Sequence, residues 1–265
     1  MSAKNKSWYS IENAATDEAT IYVYDEISRW GVDAKQFVKD LNGVTAKTIN
    51  LKINSPGGNV FDGCTIHNAL KDHAATVNVQ VDGLAASIAS IIAMAGDKIT
   101  MAKSAMMMIH NAWGGCCGNS CDMQKMADVL DKIDGNLVQT YSDRTGMAKR
   151  NIKQMMTDET WMTADEAVKN GFADCVGSNG DAKASFDLSN FQNVPPQALA
   201  NFAMKRDEQP TERDQEQRLR DAGFSKTEAK AAVSVIKAEN LRDADGKQLA
   251  IARMQVDNMI QILTT

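Results

Sequence analysis

Apolar and polar positions alternate in short runs along the first half of the chain, and most runs give way to three- and four-residue spacing. Ala19–Ile27 (ATIYVYDEI) is rich in Ile, Val and Tyr and predicts a strand. Asp33 then opens a short helix, with Gln36 three residues on completing a capping-box pattern and Gly43 closing it. Thr48–Ile53 alternates as a strand and runs into the turn Asn54-Ser55-Pro56-Gly57-Gly58, after which Val60–Lys71 predicts a helix. Val77, Val79 and Val81 mark the next strand, ending at Asp82-Gly83. The stretch Gly83–Gly96 (GLAASIASIIAMAG) is nearly all apolar but too short to cross a bilayer, so it predicts a buried helix from about Ala86 to Ala95.

Two short strands follow, around Lys98–Met101 and Met106–Ile109. A long helix is expected over Cys121–Arg144, with Met123, Met126, Leu130, Ile133, Leu137 and Tyr141 along one stripe. Thr163-Ala164-Asp165-Glu166 is a second capping box, opening a helix that stops at Gly171. Repeated strand–helix–strand units predict an α/β fold with right-handed crossovers. After about Ser178 the composition changes. Three of the four prolines (Pro195, Pro196, Pro210) fall close together and suggest a linker. Beyond it, 211–237 is charged and helical in pattern, with Gly223 interrupting it and Ser225-x-x-Glu228 restarting it. The expected organisation is a main domain over 1–178, a linker over 179–210 and a small helical C-terminal appendage over 211–265.

Composition narrows the function classes. A net charge of −5 gives no basic field to hold nucleic acid. At 43% hydrophobic and 24% charged the chain has globular composition, and 15 Met against 6% aromatics predicts an aliphatic and thioether core. The opening MSAKNKSWYS has no apolar signal core, so a cytoplasmic protein is expected, neither exported by a signal peptide nor spanning a membrane. Five cysteines, an odd number, fit free thiols in a reducing compartment. Cys116, Cys117 and Cys121 lack the paired C-x-x-C units of structural zinc sites, so neither metal nor cofactor is expected.

Acyl-transfer chemistry of the serine type needs a nucleophile, a base, a carboxylate to orient the base, and donors for an oxyanion. Only three histidines are available as the base. His67 and His73 belong to an amphipathic helix and read as solvated residues, whereas His110 ends the apolar strand MMMI and leads into Asn-Ala-Trp-Gly-Gly. Strand ends of this kind are where α/β folds place functional groups. Ser87 falls where strand turns into buried helix, and the N–H of Ile88 follows it. Small residues there also suit close helix packing. Gly57-Gly58 supplies a turn with no side chains to obstruct a substrate, as many tight turns would.

The ordered combination is far more specific than its parts. Asn54-Ser55-Pro56-Gly57-Gly58, Gly83-x-Ala85-Ala86-Ser87, Met108-Ile109-His110, and Glu159 before Thr163-Ala164-x-Glu166-Ala167-Val168-x-x-Gly171-x-x-Asp174 resembles the Clp-type serine peptidases from about Ile21 to Val176. The resemblance implies a ClpP/crotonase-like spiral of strand–helix units, with Ser87 as nucleophile and His110 as general base. It implies Gly58 and Ile88 as oxyanion donors and Gly57 as a substrate-binding position. The third member matches Glu159, where the family usually has Asp, and Asp158 is the alternative.

The loop after His110 and the appended tail resemble the phage and prophage head maturation branch. That branch implies capsid or scaffold polypeptides as substrates and a ring-shaped homo-oligomer, with no nucleic-acid or membrane partner. A housekeeping Clp subunit working with an ATP-dependent unfoldase, a crotonase-fold acyl-CoA enzyme and a noncatalytic assembly protein are the rivals.

Overall fold

The computed structural model describes residues 7–14, 17–27, 33–178 and 186–202, together with Lys226, Lys230 and Val233. Strand β1 (Tyr9–Glu12) lies antiparallel to β2 (Glu18–Tyr24), which runs parallel to β3 (Thr48–Ser55). Between them, α1 (Ala34–Leu41) starts at Asp33, whose carboxylate accepts from Gln36 N. Only that half of the expected box forms, because the Gln36 side chain donates to Asp40 instead. Helix α2 (Val60–Lys71) is capped by Asn59, which accepts from the N–H groups of Phe61 and Asp62. His67, expected to be solvated, is half-buried on this helix, and burial pushes its pKa down.

The organising element is β4 (Thr76–Ala86), the longest strand. Its first half pairs in parallel with β3 and with β5 (Lys98–Met101); its last residues, Leu84–Ala86, pair in parallel with β6 (Met106–Ile109). The change of partner is marked by a register shift opposite Ile53 and Ser55. Asn54 fixes it: the buried side-chain oxygen accepts from Leu84 N at 3.0 Å. A Cβ on Gly83 would stand 2.7 Å from that same oxygen and would have to displace the side chain that holds the shift. The strand therefore runs past Asp82-Gly83, where the sequence pattern ends it. Helix α3 is correspondingly shorter, Ile88–Ala93, and every residue in it is buried.

Helix α4 (Ser120–Thr145) is followed by α5 (Lys149–Thr157), β7 (Thr160–Thr163), α6 (Ala164–Lys169) and β8 (Cys175–Val176). β7 pairs antiparallel with β6 and β8 pairs with β5, completing an eight-stranded sheet. The capping box at Thr163 and Glu166 forms in full. Asp174 at the end of the family pattern clamps two elements, accepting from Ile99 N at 2.6 Å and from the Arg144 guanidinium at 2.7 Å.

Ile21, Val23, Leu51, Ile53, Val79 and Val81 of the parallel strands are buried with Phe37 and Leu41 of α1 and Ile66 and Leu70 of α2. Full burial of each such side chain contributes about 1.5–3 kcal/mol. Met101, Met106, Met107 and Met108 are buried as well, so thioethers do fill part of the interior.

The stretch expected as a linker is structured where it is described. Residues 186–202 include α7 (Pro196–Phe202), and Pro195 and Pro196, two of the three prolines that suggest a linker, stand at the start of this helix, while Pro210 lies outside the described residues. Proline suits a first helical turn, where its missing N–H has no intrahelical partner to lose. Phe186, Leu188, Ala198 and Phe202 are buried against Leu84, Ala86, Met106 and Met108. The chain divides into two compact units, 1–113 with 127–203, and 114–126 with 204–265. The segment 186–202 thus belongs to the first. In the second, Asn119 caps the start of α4 by accepting from the N–H groups of Cys121 and Asp122. The charged helices and restart motif expected over 211–265 lie outside the described residues, apart from helical Lys226, Lys230 and Val233.

Candidate active site

Ser87 makes the turn between β4 and α3 alone, with φ 54° and ψ −129°. A non-glycine residue in this region is strained by about 1–3 kcal/mol, and such strain is held only where surrounding contacts impose it. Here the contacts can be named. Ser87 N donates to Met108 O at 3.0 Å, continuing the β4–β6 ladder past Ala86. Its carbonyl accepts from Ser90 N at 3.0 Å and Ser90 Oγ at 2.6 Å, and Ser90 Oγ also bonds Tyr141 Oη at 2.7 Å. Ser90 is therefore more than a small residue for helix packing. It ties the Ser87 carbonyl to a fully buried tyrosine of α4.

His110 follows β6, and the pairing of Ala86 with Met108 brings it beside Ser87. Its Nε2 lies 2.8 Å from Ser87 Oγ. Burial pushes the imidazole pKa below its ordinary 6.5, while the nearby charge of Glu159 opposes this. A neutral imidazole with Nε2 on a serine hydroxyl is placed to accept that proton.

Gly57 and Gly58 have φ 102° and 141°. A Cβ on Gly57 would come 2.7 Å from Ser87 Cβ and 3.2 Å from Ile88 N, so only glycine lets this turn lie against the serine. The Gly57 carbonyl accepts from Ile27 N at 2.7 Å, and its N–H donates to Ser55 Oγ at 3.2 Å. Both main-chain groups of Gly57 are thus engaged, and its contribution is room rather than a free peptide edge. Gly58 bridges to Ile27, whose carbonyl takes the N–H of Asn59 at 2.8 Å.

Glu159 lies at the α5–β7 turn with φ 48° and is buried. Its Oε1 accepts from Trp161 Nε1 at 3.2 Å and Asn193 N at 2.7 Å; Oε2 accepts from Gln192 N at 2.9 Å. The carboxylate is close enough for its charge to act on His110, but its hydrogen bonds in this structure go to these three donors. The Asp158 side chain instead takes Gln154 Nε2 at 2.8 Å on the exposed side of α5. Gln192 and Asn193 give no signal in the sequence as site residues. They contribute main-chain N–H groups, and those carry no side-chain signature.

A mostly parallel sheet with a strained serine at a strand-to-helix turn, a histidine on its hydroxyl and a glycine turn against it makes a hydrolase-like site. The Clp protease family model matches residues 3–180, and the chain belongs to that family. The ATP-dependent Clp protease proteolytic subunit 2 of Parasynechococcus marenigrum is 36% identical over 132 residues, 49% of this chain and 67% of the relative. The proteolytic subunit of Streptococcus thermophilus is 34% identical over 141 residues, 52% of this chain and 72% of that one. Among solved structures, the ClpP1 N165D mutant from Listeria monocytogenes superposes with a TM-score of 0.55 at 25% identity, covering 61% of this chain and 92% of its own. Among the described residues no helix is long and apolar enough to cross a membrane.

Proposed function

We propose that the chain is a serine endopeptidase. Ser87 Oγ attacks the scissile carbonyl as His110 Nε2 takes its proton, the N–H groups of Gly58 and Ile88 receive the oxyanion, and Glu159 stabilises the imidazolium. The protonated imidazole then hands its proton to the leaving amine. Water, activated by the same imidazole, hydrolyses the acyl-enzyme. The observation that carries the reading is the 2.8 Å contact of His110 Nε2 with a serine held at positive φ.

The substrates we propose are capsid or scaffold polypeptides, on the strength of the Trp-Gly-Gly-Cys-Cys-Gly loop after His110 and the chain beyond the family match at residue 180. Ring assembly is proposed with it: Leu130 and Ile133, neighbours on one stripe of α4, are only partly buried, an apolar face suited to a second copy. A fluorophosphonate probe tests the chemistry. Labelling at Ser87 that disappears in Ser87→Ala supports it; absence of labelling defeats it. Proteomics of procapsids made with wild-type and Ser87→Ala protein tests the substrate. Uncut capsid and scaffold chains in the variant alone are expected, whereas turnover that requires an ATP-dependent unfoldase would point to the housekeeping role.

A further inference from the structure

The family match ends at residue 180, yet residues 186–202 fold against the strand ends that carry Ser87 and His110. Side chains alternate across a strand. Ala85, Met107 and Ile109 face the main core, while Leu84, Ala86, Met106 and Met108 face the segment. Phe186 N donates to Phe202 O at 2.7 Å, which ties the segment at both ends. It is a strap with a fixed course, and its middle reaches the site.

Three consecutive residues make that contact. The Phe191 ring stands edge-on to the His110 imidazole, centroids 5.6 Å apart, and edge-on to Trp161 at 5.7 Å. Gln192 N and Asn193 N each hold one oxygen of Glu159, and Asn193 Nδ2 donates to Asp158 O at 3.0 Å. A carboxylate has about four acceptor sites. Oε1 takes two donors and Oε2 one, so Oε2 keeps a place for a further N–H. The docked strap coexists with an intact 2.8 Å His110–Ser87 contact, so it does not pull the base from the nucleophile.

The geometry points to residues 191–193 as a positioning element for the third member of the site: the strap holds Glu159 so that Oε2 can take the imidazole Nδ1–H, while Phe191 packs the ring over Ser87. This rests on the serine-peptidase reading of Ser87, His110 and Glu159. It also bears on Glu standing where the family usually has Asp. The longer side chain has more rotamers to lose, and the two main-chain donors select one arrangement.

The test is a double-mutant cycle on the full chain. Gln192→Pro removes one donor to Glu159 without touching a side chain that contacts the site, and Phe191→Ala removes the ring. Each is made in the wild-type and Glu159→Gln backgrounds, with thermal unfolding to show that the fold is retained. In the wild-type background kcat should fall by roughly ten- to a hundred-fold for Gln192→Pro, the effect of losing one hydrogen bond to a charged group, with KM little changed. In the Glu159→Gln background the same change should cost less than about three-fold. Equal losses in both backgrounds would make the strap merely structural, and a gain in rate would make it a brake; either overturns the proposal.

His110 titration by NMR reads the coupling without turnover. Glu159→Gln should lower the imidazole pKa when the strap is intact, and by less in Phe191→Ala or Gln192→Pro. An undiminished lowering overturns the proposal even if the protein proves not to be a serine peptidase. Failure of the serine reading shows separately, as loss of probe labelling at Ser87.

Discussion

The two halves of the site are built by opposite means. The Ser87 half comes from neighbouring strand ends: a glycine turn after β3, the end of β4, and β6 beside it. The Glu159 half is assembled from the α5–β7 turn and a segment more than thirty residues further on, with hydrogen-bond separations of 33 and 34. Both centres hold a non-glycine residue at positive φ, 54° and 48°. What differs is the restraint. Ser87 is fixed by the sheet ladder and by backbone packing that tolerates no Cβ at Gly57. Glu159 depends on three hydrogen bonds, two of them from the strap. A half-site built from sheet geometry should be unforgiving of substitution, and one built from hydrogen bonds should respond in degrees.

The largest effect is expected in the sheet-built half. Ser87→Ala or His110→Ala should each lower peptidase turnover by about 10⁴–10⁶-fold, and the double variant should be little worse, since the pair acts as one unit. A His110→Ala protein keeping a tenth of the wild-type rate would break the assignment. Glu159→Gln comes next, at about 10²–10⁴-fold, because a neutral amide cannot stabilise the imidazolium.

The same variant sharpens the comparison through pH. On the proposed mechanism activity needs neutral His110, so the rate should rise with pH through a midpoint below the ordinary 6.5. The Glu159 charge raises that pKa, so removing it should move the acid limb to still lower pH. A limb that stays put would show that Glu159 does not act on the imidazole. Asp158→Asn should leave both rate and limb unchanged, and a loss there with Glu159→Gln active would reverse the choice of residue.

A smaller loss, of roughly ten- to a hundred-fold, is expected for Gly57→Ala, whose methyl would lie 2.7 Å from Ser87 Cβ and force the turn away. Probe labelling kinetics at Ser87 measure it. A wild-type rate would show that the turn can yield and that the sheet-built half is softer than its contacts suggest.

This contrast also explains what the sequence made legible. The strands from β2 to β6, the buried α3 and the Thr163 capping box follow from local patterning, and the ordered glycine, serine and histidine motifs mark residues that lie together in one half of the candidate site. Local pattern misplaces the end of β4, because Asp82-Gly83 reads as a turn. There it is a bulge held by Asn54, a residue thirty positions away. The short strands β1, β7 and β8 are formed by pairing rather than by an alternating run long enough to recognise. Pro195-Pro196 marks a linker and the first turn of a helix equally well, and burial of Phe186 and Phe202 decides between them. Main-chain donors such as Gln192 N are invisible at the level of residue identity.

The conformation of Ser87 has a consequence for the melting behaviour of the protein. Its φ of 54° and ψ of −129° suit glycine far better than any residue with a Cβ. On the proposed mechanism the nucleophile is therefore held against the stability of the fold, and a variant relieved of this strain should be the sturdier one. Ser87→Gly should unfold at a higher temperature than Ser87→Ala, by the equivalent of about 1 kcal/mol, since both lack the hydroxyl and only alanine keeps the steric penalty. Calorimetry of the two dead variants would weigh the turn itself, independent of any substrate.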